Sequence, residues 1–205
     1  RFGKLTAAHC ASMKGTENCA AAGVDMIIHC VFEDEHGRYE FRQDLAEKLA
    51  AAKAWVNPTL HVVQAGIEHA EARGRERGRL TEVEKRAIDR SKQSLENRVE
   101  ATRRMAKMGV RMTGGSDSPW GAYPPGEFVK ELEFLTRAGL SNSEALLAGT
   151  SGSAESIAAH ERAGTIAAGR AADILVVDGD PTDDIAVLWK VRDVFKAGVR
   201  VDRGP

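Results

Sequence analysis

The sequence predicts an α/β fold of parallel strand and helix units followed by a short β-rich tail, and three observations point to it. Apolar runs of strand length alternate with amphipathic stretches four times before residue 163, the pattern of parallel βα units. After Ala163 the texture changes to close-spaced glycines and short alternating runs, which reads as small β strands packed as a separate layer. With 205 residues and 42% hydrophobic content, the chain is long enough to bury a substantial core.

Leu5-Thr6-Ala7-Ala8-His9 is a short apolar run ending in His, followed by the helix-compatible Thr16 to Ala22 and the turn residue Gly23. Val24-Asp25-Met26-Ile27-Ile28-His29 repeats the arrangement, and the second run also ends in His. Asp44 to Lys53 is amphipathic, with Leu45 and Leu49 four apart, and leads into a third strand, Trp55-Val56-Asn57-Pro58-Thr59-Leu60, closed by a proline-bearing turn. Glu68 to Met108 is the most charged region. Its Val83, Ala87, Ser91 and Leu95 fall at helical spacing on one side, which predicts a long solvated helix or a helix pair. Gly109 caps it, Val110 to Gly114 supplies a fourth strand running into Gly115-Ser116-Asp117, and a helix follows from Glu127 to Ala138. In the tail, Asp173 to Asp178 reads as one strand and Val191 to Val201 as a pair around Gly198. The division this gives is 1–163 for the strand and helix units and 164–205 for the β-type tail.

Lys plus Arg is 29 against 30 for Asp plus Glu, a formal charge of -1. That balance offers no general attraction to nucleic acid or an anionic membrane. Apolar stretches such as Ile174 to Val177 fall far short of the roughly 20 residues that cross a bilayer. Cys10, Cys19 and Cys30 form neither a disulfide framework nor a CxxC pair, which suits a reducing compartment and favours the cytoplasm. The chain starts Arg1-Phe2-Gly3, with no initiator Met and no signal peptide, and runs at once into a strand, an opening that suggests missing upstream sequence.

A parallel βα array gathers the C-terminal ends of its strands on one rim, and active sites of such barrels collect there. His9, His29 and Asp117 all stand at those ends. Two imidazoles and a carboxylate are suitable ligands for zinc or a similar divalent ion. Taken singly, either His reads better as a hydrogen-bonded interior residue, and Asp117 after Gly114-Gly115-Ser116 as a turn cap. Together, at corresponding positions on three strands, they favour the ligand reading. His61 and Trp120 are candidate substrate contacts, the first against the alternative of a surface loop and the second, with Tyr123, against plain packing. His36, His69 and His160 sit among charged or loop residues and read as solvent-exposed. Strand alternation points Cys10 and Cys30 away from the site, into packing.

Thr6-Ala7-Ala8-His9-Cys10, Val24 to His29, Asn57-Pro58-Thr59-Leu60 and Thr113-Gly114-Gly115-Ser116-Asp117-Ser118 resemble, in order, the last four barrel strands of the amidohydrolase superfamily. The similarity is greatest to its prolidase-like and Xaa-Arg-dipeptidase-like members. Leu140 to Leu146 resembles the family's helix after the last strand, and Gly164 through Asp178 its return into a β-sandwich. The resemblance implies the C-terminal half of a TIM-type (β/α)8 barrel followed by a small β-sandwich segment. It implies a metal-dependent hydrolase acting on a carbon–nitrogen bond, in a dipeptide or N-acyl amino acid, with one or two divalent ions, zinc first among them. His9 and His29 then ligate the second metal, while Asp117 contacts the first and accepts the proton of the attacking water. With a single metal, as in the family's deaminases, His29 is rather a base or an electrostatic aid.

The departures are as informative. The family has a His-x-His pair on its first strand and, in dinuclear members, a bridging modified Lys on its fourth, whereas this sequence has no His-x-His and begins at what resembles the fifth strand. Lys4 and Lys14 do not match the bridging position. Four of eight strands leave open sheet edges and an apolar interior that call for a partner surface. That surface is an upstream half missing from this sequence, a separate chain, or a second copy, and the 205-residue chain alone is expected to hydrolyse little amide. Two other functions stay open: a deaminase or imidazolonepropionase-like cyclic-amide hydrolase of the same fold, and a non-catalytic assembly subunit.

Overall fold

Four short strands, β1 (Ala7–His9), β2 (Met26–Ile28), β3 (Trp55–Asn57) and β4 (Arg111–Met112), form one parallel sheet in chain order. They are seen in a computed structural model that describes residues 3–119, 124–202 and 204. The register aligns Ala8, Ile27, Val56 and Met112 across the sheet, so by strand alternation these four share a face. That face meets Cys10, Cys30, Leu45, Leu49 and Met105 in the main apolar cluster. The opposite face carries His9, Ile28 and Asn57, in register at the C-terminal ends of three strands.

Helices α1 (Met13–Ala22) and α2 (Gln43–Ala51) cover the helix-side face. The Ser12 hydroxyl accepts from the Gly15 N–H at the start of α1, and Gly23 ends it in left-handed backbone at φ 67, where glycine alone carries no Cβ penalty. The charged region is a helix pair, α3 (Leu60–Glu76) and α4 (Glu82–Lys107), the second opened by a Thr81–Glu84 capping box. Two expectations are corrected here. The third strand stops at Asn57, because Pro58 and a left-handed Thr59 break it, and helix begins at Leu60 instead of Glu68. The packed stripe of α4 is Ile88, Leu95, Val99 and Thr102; Val83 is 75% exposed, since it lies in the first turn, short of the Ile67–Ile88 contact region between the two helices.

After β4 come α5 (Phe128–Arg137), α6 (Asn142–Gly149) and α7 (Ser151–Ser156). The tail is a three-stranded antiparallel sheet of β5 (Ile174–Val177), β6 (Val191–Lys196) and β7 (Val199–Arg200). Ala197 and Gly198, both at positive φ, make the two-residue turn between β6 and β7. A 3-10 turn, Ile185–Trp189, places Ile185 and Leu188 against Leu132, Leu135, Ala145 and Ala148, and so seats the tail on α5 and α6. Among the described residues no helix is long and apolar enough to cross a membrane.

Candidate functional site

Three strands of the parallel sheet, β2, β3 and β4, are followed by a break at the same rim. His29, Thr59 and Asp117 follow β2, β3 and β4 with φ of 70, 48 and 53. Left-handed backbone at a residue with a Cβ costs on the order of 1–3 kcal/mol, and such strain persists where the surroundings hold it in place, often at functional sites. The break at His29 has a visible result. Alternation from Ile28 would send its side chain to the helix side, but the left-handed turn swings the ring to the rim, where it meets His9 edge to face with ring centroids 4.5 Å apart.

On its other side, His29 Nε2 lies 4.0 Å from Asp117 Oδ2, with the His29 side chain 8% exposed and that of Asp117 39%. His29 Nδ1 is 2.5 Å from the Thr59 hydroxyl. Burial, with the neighbouring His9 ring and the Arg98 charge, holds the His29 pKa below the usual imidazole range against the pull of Asp117. His29 is therefore neutral near pH 7, the form in which imidazole ligates a metal.

The segment that carries Asp117 is pressed against β3. A Cβ built on Gly115 would lie 2.0 Å from Asn57 Nδ2, so any larger residue there would have to displace the Asn57 amide. Asn57 Oδ1 is buried at the rim with no hydrogen-bond partner among the described residues, which fits a site that takes up a further polar group. Two imidazoles, a carboxylate and this orphaned oxygen suit a divalent ion. They do not form a complete cage: among the described residues no group of three or more His, Cys, Asp or Glu side chains could hold a metal ion by itself.

Of the sequence candidates, His9, His29 and Asp117 come together. His61 lies in the first turn of α3, fully buried, with Nε2 3.2 Å from Glu127 Oε2 and its ring stacked on Phe134. It lines a cleft of about 430 Å³ between α3 and α5 with Gln64, Glu68, Lys130, Glu133 and Arg137. Trp120 and Tyr123 lie outside the described residues. Besides Asn57, two residues escaped the sequence reading. Thr59 is one, through its contact with His29. The other is Glu131, 0% exposed on α5, whose Oε1 accepts from the Leu60 N–H at 3.0 Å and Oε2 from the His61 N–H at 2.7 Å.

The amidohydrolase family model matches residues 1–201. The chain belongs to the amidohydrolase family. Solved structures similar to this amidohydrolase chain include a candidate prolidase from Bifidobacterium longum, at 26% identity and TM-score 0.78 over 98% of this chain and 48% of that one. A Xaa-Pro dipeptidase with bound methionine in its active site matches at 22% identity and TM-score 0.76, over 98% of this chain and 45% of that one. A prolidase complexed with N-methylphosphonate-L-proline matches at 28% identity and TM-score 0.70, over 97% and 45%. The neighbours place the amidohydrolase chain beside the prolidase-like branch, and its four-stranded parallel sheet is part of a TIM-type barrel. The chain spans less than half the length of these structures. No curated protein matches its sequence.

Proposed function

We propose that this amidohydrolase chain supplies part of the catalytic rim of a metal-dependent hydrolase that cleaves a carbon–nitrogen bond in a small amide, a dipeptide or an N-acyl amino acid. The observation that carries the reading is the meeting of His9, His29 and Asp117 from three strand ends spread over more than a hundred residues of sequence. His9 and His29 would hold one divalent ion, zinc by the match of imidazole donors, and Asp117 would contact the other in a completed two-metal site. Such an ion polarises the scissile carbonyl and lowers the pKa of water toward neutrality. Asp117, 39% exposed, has room to take the proton of the attacking water and return it to the leaving amine. The dipeptide assignment is supported by the prolidase and Xaa-Pro dipeptidase neighbours.

β1 and β4 each pair with one neighbour in this sheet. The remaining barrel strands, and with them further ligands, come in this reading from an additional segment or a second chain. Residues 164–205 then form part of a β-sandwich apart from the 1–163 barrel segment. Three free cysteines suit a reducing, cytoplasmic setting. The test is metal analysis and substrate screening of this chain together with the segment or second chain that completes its barrel. Stoichiometric zinc, lost in the His9→Ala/His29→Ala double variant, with turnover of dipeptides, is the expected result. Preference for cyclic amides or aminated heterocycles would reassign the substrate, and a metal-free protein indifferent to both changes would leave only an assembly role.

A further inference from the structure

Thr59 precedes the first residue of α3, a position where threonine ordinarily turns its hydroxyl onto the helix's own leading N–H groups. It makes no such bond. Its backbone is left-handed, at φ 48 and ψ 52, unfavourable for a β-branched residue. The hydroxyl lies 2.5 Å from His29 Nδ1 and donates to the Pro58 carbonyl at 2.8 Å. The duty it leaves undone falls to Glu131, which reaches across from α5 and accepts from the Leu60 and His61 N–H groups. A distant, fully buried carboxyl group thus caps α3 while the local hydroxyl is turned to a histidine.

We propose that Thr59 is a positioning residue for His29, fixing its tautomer with the proton on Nδ1 and leaving Nε2 with a free lone pair on the side of Asp117. The direction follows from the partners: the Pro58 carbonyl can only accept, so with the single Thr59 hydrogen given to it the oxygen accepts from His29 Nδ1. At 4.0 Å, Nε2 is too far from Asp117 Oδ2 to be donating there. The lone pair on Nε2 is what a metal would require, so the inference rests on His29 being a ligand. Glu131 makes the arrangement possible: with the N–H groups of α3 already satisfied, the Thr59 hydroxyl has no competing acceptor role.

The test uses the intact protein, metal-stripped and labelled with ¹⁵N-histidine, at a pH where His29 is neutral. Long-range proton–nitrogen correlations should show His29 protonated at Nδ1, with the signal assigned by its loss in His29→Gln. In Thr59→Val the two tautomers should mix and zinc affinity fall by about 10- to 100-fold, as for other residues that orient a ligating histidine. Thr59→Ser, which keeps the hydroxyl, should restore both. His29 protonated at Nε2 in the unsubstituted protein, or an unchanged tautomer in Thr59→Val, would overturn the inference. If Thr59→Val fails to fold, the spectrum of the unsubstituted protein still decides. A protein that binds no zinc yet shows the Nδ1 proton would remove the hydrolase reading and leave the role of Thr59 standing.

Discussion

The two central strands and the two outer strands of the parallel sheet present their rim residues differently. On β2 and β3 the strand interiors are closed, with Ile27 and Val56 both 0% exposed, and the residue that follows β2, His29, is 8% exposed and bonded to Thr59 after β3. On β1 the pattern is exposed, intermediate, exposed, with His9 open to solvent, and the Asp117 side chain beyond β4 is 39% exposed. A rim residue flanked by strands on both sides is held by its neighbours, and one at an edge is not. The centre of the site is therefore pre-organised within this chain, while His9 and Asp117 depend more on whatever pairs with the outer strands.

The largest effect should come from removing the group that ties this centre together. Glu131→Ala strips two buried helix N–H groups of their acceptor and opens a cavity, for an expected loss of roughly 3 to 5 kcal/mol in denaturant-induced unfolding. Substituting exposed Asp117 to Asn should leave stability nearly unchanged. Equal losses at the two positions would erase the distinction between centre and edge.

The same carboxyl sharpens the comparison through pH. Burial pushes the Glu131 pKa from 4.5 up to about 8, against the pull of the His61, Leu60 and Thr59 N–H groups. Because the folded value is raised, the proton is held more tightly in the folded state. The associated stability is full below about pH 4.5 and is lost as pH rises through about 8. The difference in unfolding free energy between the unsubstituted protein and Glu131→Gln should therefore shrink from pH 5 to pH 8, by up to about 1.4 kcal/mol per pH unit. A flat or opposite slope would show that the helix N–H groups outweigh burial.

Why the sequence revealed one part of this centre and concealed the other has a physical explanation. His9 and His29 each end an apolar run of strand length, and Asp117 follows a glycine pair after another, so periodicity alone placed them on one rim. The order of the four strands followed from the family resemblance of their segments, and the sheet has that order. Glu131 was not, because a charge in a surface helix reads as solvated. The available signal was its place between Phe128 and Leu135 on the apolar stripe of α5, where a carboxylate is buried only if something pairs with it. Thr59 was hidden in Asn57-Pro58-Thr59-Leu60, which reads as the end of a strand, since its left-handed turn depends on tertiary contacts. The approach of Cys10 and Cys19, sulfurs 3.0 Å apart, joins residues on a strand end and a helix, with no spacing motif to announce it.

The smallest expected effect is also the most direct probe of centre against edge. Ile27, wholly enclosed on β2, packs with Val56, Leu49 and Met105, and removing one methyl in Ile27→Val should lower stability by about 1 kcal/mol through lost burial and an unfilled gap. Leu5, just ahead of β1 and 52% exposed, loses far more atoms in Leu5→Ala yet has little enclosed surface to lose, and the change should stay within about 0.5 kcal/mol. Both are measured by denaturation of this chain alone and again in the presence of whatever closes the barrel. If the Leu5 effect grows in that second state while the Ile27 effect holds, the β1 edge is the surface that the remaining strands cover. An unchanged Leu5 effect would place the closing contacts elsewhere.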